Sequence, residues 1–225
     1  RLREERSRAG DGGAASEPEA AEVRFRESRF FRQPDLFLSV DNPAIQRSTS
    51  EKSLAARDEV FGVVVNGIAR AYPVAALCYH HVVNDQIGDQ PIAVSYCVIC
   101  SSGIAFDPRV DGERLMFGFH GIWQGTAVLY DRETRSNWLH LNGECVEGTR
   151  KGTRLRPIPG THATWAEWRR DYPETELMAV DPKFIQRYFP RQSAKRGLEY
   201  FPEGFLRTIQ NRDRRLGLSE LCLGV

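Results

Sequence analysis

Cys97 and Cys100 stand in Cys-x-x-Cys spacing inside the stretch Tyr96-Cys97-Val98-Ile99-Cys100-Ser101-Ser102-Gly103-Ile104-Ala105-Phe106. Two thiols at i and i+3 on a turn can converge on one point. Such a pair can bind a soft metal, close a disulfide, or remain two inert buried thiols. A thioredoxin-like pair sits at a helix N-terminus, where the helix dipole lowers the thiol pKa. Here Ser101-Ser102-Gly103 followed by Ile104-Ala105-Phe106 reads as a turn into a strand, which weakens that reading. Structural zinc takes four ligands, and a second Cys-x-x-Cys or His pair is missing. Two thiolates with one or two imidazoles suit Cu(I), which accepts soft sites of low coordination number.

Five histidines are the candidate imidazoles: His80, His81, His120, His140 and His162. Neighbouring strand residues face opposite ways, so His80 and His81 cannot both enter one site without a bulge. His120, at a strand end beside Gly121, is placed to be a pocket residue and is the candidate catalytic group alongside Cys97 and Cys100. His140 lies by Trp138 and Asn142-Gly143, and is weighed as pocket or core; His162, near Gly160, reads as a surface-loop residue. Cys78 and Cys145 are accessory ligands or, as lone cysteines more often are, small buried hydrophobes. Trp123 and Tyr130 line a pocket or belong to the core. Asp107 and Asp131 read as turn formers or supporting partners rather than general bases. Other chemistry is absent from the sequence: there is no phosphate-binding Gly-rich loop, no Gly-x-Ser-x-Gly elbow and no His-Glu-x-x-His.

The elements that must position these groups are read from the rest of the chain. Its 225 residues, 41% hydrophobic and 27% charged, suit one soluble domain with extensions. A formal net charge of +1, with no basic stripe among aromatics, gives no case for nucleic acid. No apolar run approaches the roughly 18–20 residues that span a bilayer. The odd count of five cysteines is no disulfide framework and leaves the compartment open, with periplasm or secretion favoured over cytoplasm.

Residues 1–24, rich in Arg, Glu, Ala and Gly, read as a mobile arm that cannot bury enough surface to offset its ordering entropy. A core domain is expected over 25–180, with aromatics from Phe25 to Phe37 starting to pack and a polar helix or loop over Ser48–Arg57. Val60–Val65, Asn66-Gly67 and Ile68–Tyr72 form a strong hairpin signal. Pro73 stops the second strand, and Val74–Leu77 makes a helical turn. A second pair follows, with strands at Tyr79–Val83 and Ile92–Tyr96 around a turn-like Asn84–Pro91. Further strands are expected at Ile104–Phe106, Arg114–Phe117, Thr126–Tyr130 and Asn137–Leu141, with polar turns between. Thr164-Trp165-Ala166-Glu167 matches a capping box and predicts a helix to Tyr172. The basic, aromatic segment 181–225 is expected to wrap over the core. Its end, Ser219–Val225, echoes Asp58–Val63 and suggests a chain cut partway into a strand. The fold class is α+β: a mainly antiparallel β core, a hairpin-rich sandwich or barrel-like, with a few short helices.

From Asp58 to Asp131 the chain resembles the bacterial family catalogued as domain of unknown function 3179. The matching residues are Gly62-Val63, Asn66-Gly67, Ala69-Arg70-Ala71-Tyr72-Pro73, His80 with Val82-Val83-Asn84-Asp85, and Tyr96-Cys97-x-x-Cys100. Ala105-Phe106-Asp107, Val110-Asp111-Gly112, Phe117-Gly118-x-x-Gly121 and Tyr130-Asp131-Arg132 complete the run, and Thr164–Trp168 is similar too. The chain departs from the family pattern at His81, Ser101, His120, Trp123–Thr126 and His140, so the pocket around the matching residues is altered. The resemblance implies a fold more than a function. It also marks His80 as the imidazole to join Cys97 and Cys100.

The leading expectation is therefore a copper-binding oxidase or oxygenase, with Cys97, Cys100 and His80 as ligands and a small molecule, a thiol among the candidates, and O₂ as partners. A metal-free thiol–disulfide oxidoreductase and a non-catalytic metal carrier of the cell envelope are the alternatives.

Overall fold

In a computed structural model of the chain, Asn66 and Gly67 take φ of 50° and 81°. This is the left-handed pair that a type I′ turn demands, and it joins β4 (Glu59–Val65) to β5 (Ile68–Pro73) as the dipeptide predicts. Asp111 and Gly112, at 51° and 83°, repeat the device between β9 (Arg109–Val110) and β10 (Glu113–Arg114). The structure describes residues 29–31, 37–47, 54–181, 183, 205–209 and 215. The arm over 1–24, most of the 181–225 wrap, and the terminal echo with Cys222 lie outside the described residues.

The described strands form three five-stranded sheets besides the β9–β10 pair. The first runs β16 (Gly160–Thr164), β4, β5, β17 (Glu176–Met178), β3 (Ile45–Arg47). The second runs β15 (Arg156–Ile158), β8 (Ser102–Asp107), β7 (Gln90–Cys97), β6 (Val82–Ile87), β2 (Val40–Asp41). The third runs β1 (Arg29–Phe31), β11 (Phe117–Trp123), β12 (Thr126–Asp131), β13 (Asn137–Leu139), β14 (Cys145–Glu147). Pairing is antiparallel except for β17 on β5 and β2 on β6, and none of these sheets closes into a barrel.

The second sheet is the middle layer. On β7, Ile92, Val94 and Tyr96 enter a core cluster with Phe61, Val63 and Tyr72 of the first sheet. Ala93 points the other way, into a cluster with Phe117, Leu129 and Trp138 of the third. A strand covered on both faces needs apolar residues on both, which accounts for Ile92-Ala93-Val94 and Tyr96, while the one polar residue among them, buried Ser95, is hydrogen-bonded. The far face of the first sheet carries α2 (Trp165–Asp171), whose Trp165 and Trp168 pack with Val60, Ala69, Ala71 and Leu177. Gly62 permits this approach, since a Cβ there would stand 2.4 Å from the Trp168 ring. Thr164 caps α2 with the reciprocal Glu167 contact that the sequence predicts.

Two expectations fail between 74 and 91. The strand expected over Tyr79–Val83 begins only at Val82, as β6: α1 (Val74–His80) takes Tyr79 and His80 and stops at His81, whose φ of 61° and N–H bond to the Leu77 carbonyl end the helix. Asn84–Ile87 is strand rather than turn, and the reversal falls at Gly88, φ 57°. Asn84 and Asp85 are turn-type residues, but here their side chains are satisfied indoors. The Asn84 amide donates to the Phe117 carbonyl and accepts from the Phe117 N–H, both at 2.8 Å, lacing the middle sheet to the third. Among the described residues no helix is long and apolar enough to cross a membrane.

Candidate dithiol site

β7 delivers Cys97 at its end, and a turn over 98–101 returns the chain so that Ser102 pairs with Cys97 at the start of β8. Ser101 takes φ 47° to close that turn. The pair thus sits on a strand–turn–strand, as its sequence indicates, and not at a helix start. Both thiols are free; Cys97 is buried and Cys100 exposed.

Their environments drive them apart. Contact with the Cys97 side chain is the largest cause that brings Cys100 down to about 7, against its own burial and with support from the Ser102 hydroxyl and the backbone N–H groups of Cys100 and Ser102. The same contact, reinforced by burial, pushes Cys97 well above the ordinary thiol range. One sulfur is therefore a reachable thiolate near neutral pH, and its neighbour a protected thiol.

Period-2 alternation puts Ser95 on the same face of β7 as Cys97, turned toward the third sheet. There it meets His140, which follows β13 and is fully buried: Ser95 Oγ lies 2.8 Å from His140 Nδ1. His140 Nε2 lies 3.0 Å from Ser102 Oγ, which is 3.1 Å from Cys100 Sγ. Burial holds the His140 imidazole neutral, with its pKa lowered to about 4. His81 is close by, its Nδ1 donating to the Tyr96 carbonyl at 3.3 Å. Its ring stacks on Phe119 at 4.4 Å and meets Phe37 in a T-shaped contact at 4.6 Å, and burial lowers it too to about 4.

The remaining expected groups lie elsewhere or serve other ends. His80 closes α1, buried, and its Nδ1 donates to the Leu38 carbonyl at 2.6 Å. His120 sits at a bulge in β11 and donates from Nδ1 to Asn137 Oδ1 at 2.6 Å. Among the described residues no group of three His, Cys, Asp or Glu is placed to hold a metal ion. Neither His80 nor His120 is thus gathered with Cys97 and Cys100 into such a group. His162 is exposed but lies on β16, its ring stacked 6.0 Å from that of Tyr96. Cys145 is core, raised to about 11 by burial, and Cys78 is half-buried on α1. Tyr130 is buried and Trp123 half-buried. Asp107 accepts from Arg109 and Arg156, which hold it well below the usual carboxylate range. Asp131 accepts from Trp138 Nε1 at 2.8 Å and from the Thr134 hydroxyl, fixing the turn between β12 and β13.

Sequence reasoning passed over Ser95 and Ser102. The signal for both was available: Ser95 is two residues before Cys97 on one strand face, and Ser102 two after Cys100. The approach of His140, from 45 residues away in the chain, was not.

A family model described as "Protein of unknown function (DUF3179)" matches residues 34–225. No curated protein and no solved structure matches the chain.

Proposed function

The chain belongs to this DUF3179 family, whose description names no activity, and from the site itself we propose a thiol–disulfide oxidoreductase using Cys100 and Cys97. The observation that carries the reading is the asymmetry of the pair: an exposed cysteine lowered to about 7 beside a buried one held as the thiol. That is the division of labour between an attacking and a resolving cysteine.

The Cys100 thiolate attacks one sulfur of a substrate disulfide. The substrate S–S bond breaks as the mixed disulfide forms, and the leaving sulfur departs as a thiolate that takes up a proton. Cys97 then gives up its proton and attacks Cys100 Sγ, closing the Cys97–Cys100 disulfide and releasing the second substrate thiol. Two electrons pass from the pair to the substrate, solvent supplies one of the two protons taken up and Cys97 the other, and the reverse sequence oxidises a substrate dithiol.

The depressed pKa matters in both directions. It supplies thiolate for attack, and it makes Cys100 the better leaving group when the closed disulfide is reopened. Cys97, sealed behind the turn, is shielded from other electrophiles until Cys100 has reacted.

The test is equilibration of the protein in dithiol–disulfide redox buffers, with Cys97 and Cys100 counted by mass spectrometry after alkylation. A reversible two-electron transition confined to this pair is expected, abolished by Cys97→Ala and by Cys100→Ala. In Cys97→Ala, a mixed disulfide should accumulate on Cys100. A pair that stays reduced across the whole range sinks the reading. An anaerobic Cu(I) titration run beside it tests the copper reading: one tightly held equivalent that blocks alkylation, in a pair that never cycles, would make the site a metal holder.

A further inference from the structure

The contacts behind Cys100 form a single file: Ser95 Oγ, His140 Nδ1, His140 Nε2, Ser102 Oγ, Cys100 Sγ, with successive separations of 2.8, 3.0 and 3.1 Å across the ring. We infer that Ser95 and His140 are positioning residues that turn the Ser102 hydroxyl proton toward Cys100 Sγ, so that the file delivers a hydrogen bond to the attacking sulfur. The inference rests on the dithiol reading for its purpose, and on geometry for its content.

What each group can donate sets the polarity of the file. A neutral imidazole has one N–H and one bare nitrogen, and a hydroxyl has one proton to give. His140 is wholly buried between two serines, so whichever nitrogen donates, the other accepts. With the Ser95 hydroxyl donating to Nδ1, the proton must reside on Nε2 and point at Ser102 Oγ. That occupies the acceptor side of Ser102 and leaves its one proton for Cys100 Sγ. The opposite polarity has Ser102 donating to Nε2, which leaves Ser102 as an acceptor for a protonated Cys100. One change of tautomer thus matches the file to either state of the sulfur, with no heavy atom moved. An ionised imidazole would donate at both nitrogens and remove this choice, and burial keeps His140 from ionising.

Among the described residues, the titratable groups bearing on the file are Cys97, from β7, and His81, which follows α1 and whose charge would oppose protonation of His140. Neither stands between His140 and Ser102. His140 reaches Cys100 through the Ser102 hydroxyl, and that is the testable core of the inference.

The experiment is the pH profile of Cys100 alkylation by iodoacetamide, followed on the Cys100 peptide by mass spectrometry. Ser102→Ala, which removes a hydrogen bond to a charged sulfur, should raise the midpoint by about one unit, a tenfold loss of thiolate below it. His140→Leu and Ser95→Ala should raise it in the same direction by smaller steps, with Ser95→Ala the least. In a Ser102→Ala background, both should do nothing further to the midpoint. A His140→Leu shift of equal size in both backgrounds would overturn the inference, because His140 would then act by packing or by field rather than through the hydroxyl. If His140→Leu does not fold, Ser95→Ala in the two backgrounds decides in the same way. No midpoint change for Ser102→Ala also overturns it. The profile reads the thiol whether or not a disulfide forms, so failure here is distinct from a pair that never cycles.

Discussion

The middle sheet carries two buried polar clusters, on opposite faces and toward opposite ends, and they are built on opposite terms. Toward the first sheet, Arg70 donates to Asp85 at 2.7 Å and to Glu176 at 2.6 Å, and the Tyr72 hydroxyl donates to Asp85 at 2.8 Å. Toward the third, Ser95, His140 and Ser102 lead to the exposed sulfur of Cys100. The first cluster is ionic and closed. Burial opposes the charge on Arg70, and the bonds to Asp85 and Glu176 more than offset it, while burial with the Asp85 charge raises Tyr72. The second is neutral and open, ending on a group that solvent and substrate can reach. A closed charged network stitches two sheets together; an open neutral file has an end free for chemistry.

The sharpest way to break the comparison is Asp85→Ala. Arg70 and Tyr72 would lose a shared acceptor at a site where Arg70 is 6% exposed. Loss of one partner from a buried ion pair destabilises by about 3–5 kcal/mol, moderated here by Glu176 remaining on Arg70. Urea unfolding should show that loss, while the alkylation midpoint of Cys100 stays where it was. A shifted midpoint would mean that the two ends of the sheet are not independent.

Acid should expose the opposite cluster next. The folded His140 and His81 have pKa values of about 4, below the 6.5 of an unfolded imidazole. Between these values the unfolded chain binds more protons than the folded one, so stability is full above about pH 6.5 and falls as pH drops toward 4. Each group's share is on the order of 3 kcal/mol. His140→Gln, whose amide does not titrate, should remove one share of that slope in denaturation measured from pH 7 to 4. An unchanged slope would mean that His140 is not buried neutral.

How far this contrast was legible in the sequence depends on the range of each contact. The Asn66-Gly67 hairpin, the capping box at Thr164 and the strand leading into Cys97 are local, and residue types alone specify them. Asn84 and Asp85 misled because a turn-type side chain and a buried, fully bonded one are the same letters; only Phe117 and Arg70, brought in by other sheets, tell them apart. The same holds for the imidazoles. His80 shared the pair's motif, yet it closes a helix and bonds Leu38. His140, with no local link to the pair, arrives on the neighbouring sheet. Strand alternation places Ser95 beneath Cys97, but which residue meets it there is a matter of sheet stacking.

A control outside both clusters calibrates the scale. Thr164→Ala removes the side-chain acceptor that caps α2, which fastens to the far face of the first sheet. The expected cost is about 1 kcal/mol in urea unfolding, with no change at the thiols. A cost well above that would indicate that α2 holds the first sheet together rather than covering it.

Cys100→Ser is expected to have the smallest effect on folding and a complete one on chemistry. The side chain is exposed, the hydroxyl is smaller than the thiol, and it can still bond Ser102, so stability should move by no more than about 0.5 kcal/mol. Cycling in redox buffer should vanish. Asp85 and Cys100 then separate the two clusters in opposite senses: one variant loses stability and keeps its thiol reactivity, the other keeps its fold and loses redox exchange. Should Cys100→Ser instead unfold as readily as Asp85→Ala, the open end of the file would be a structural bond like those around Arg70, and the distinction between the two clusters would collapse.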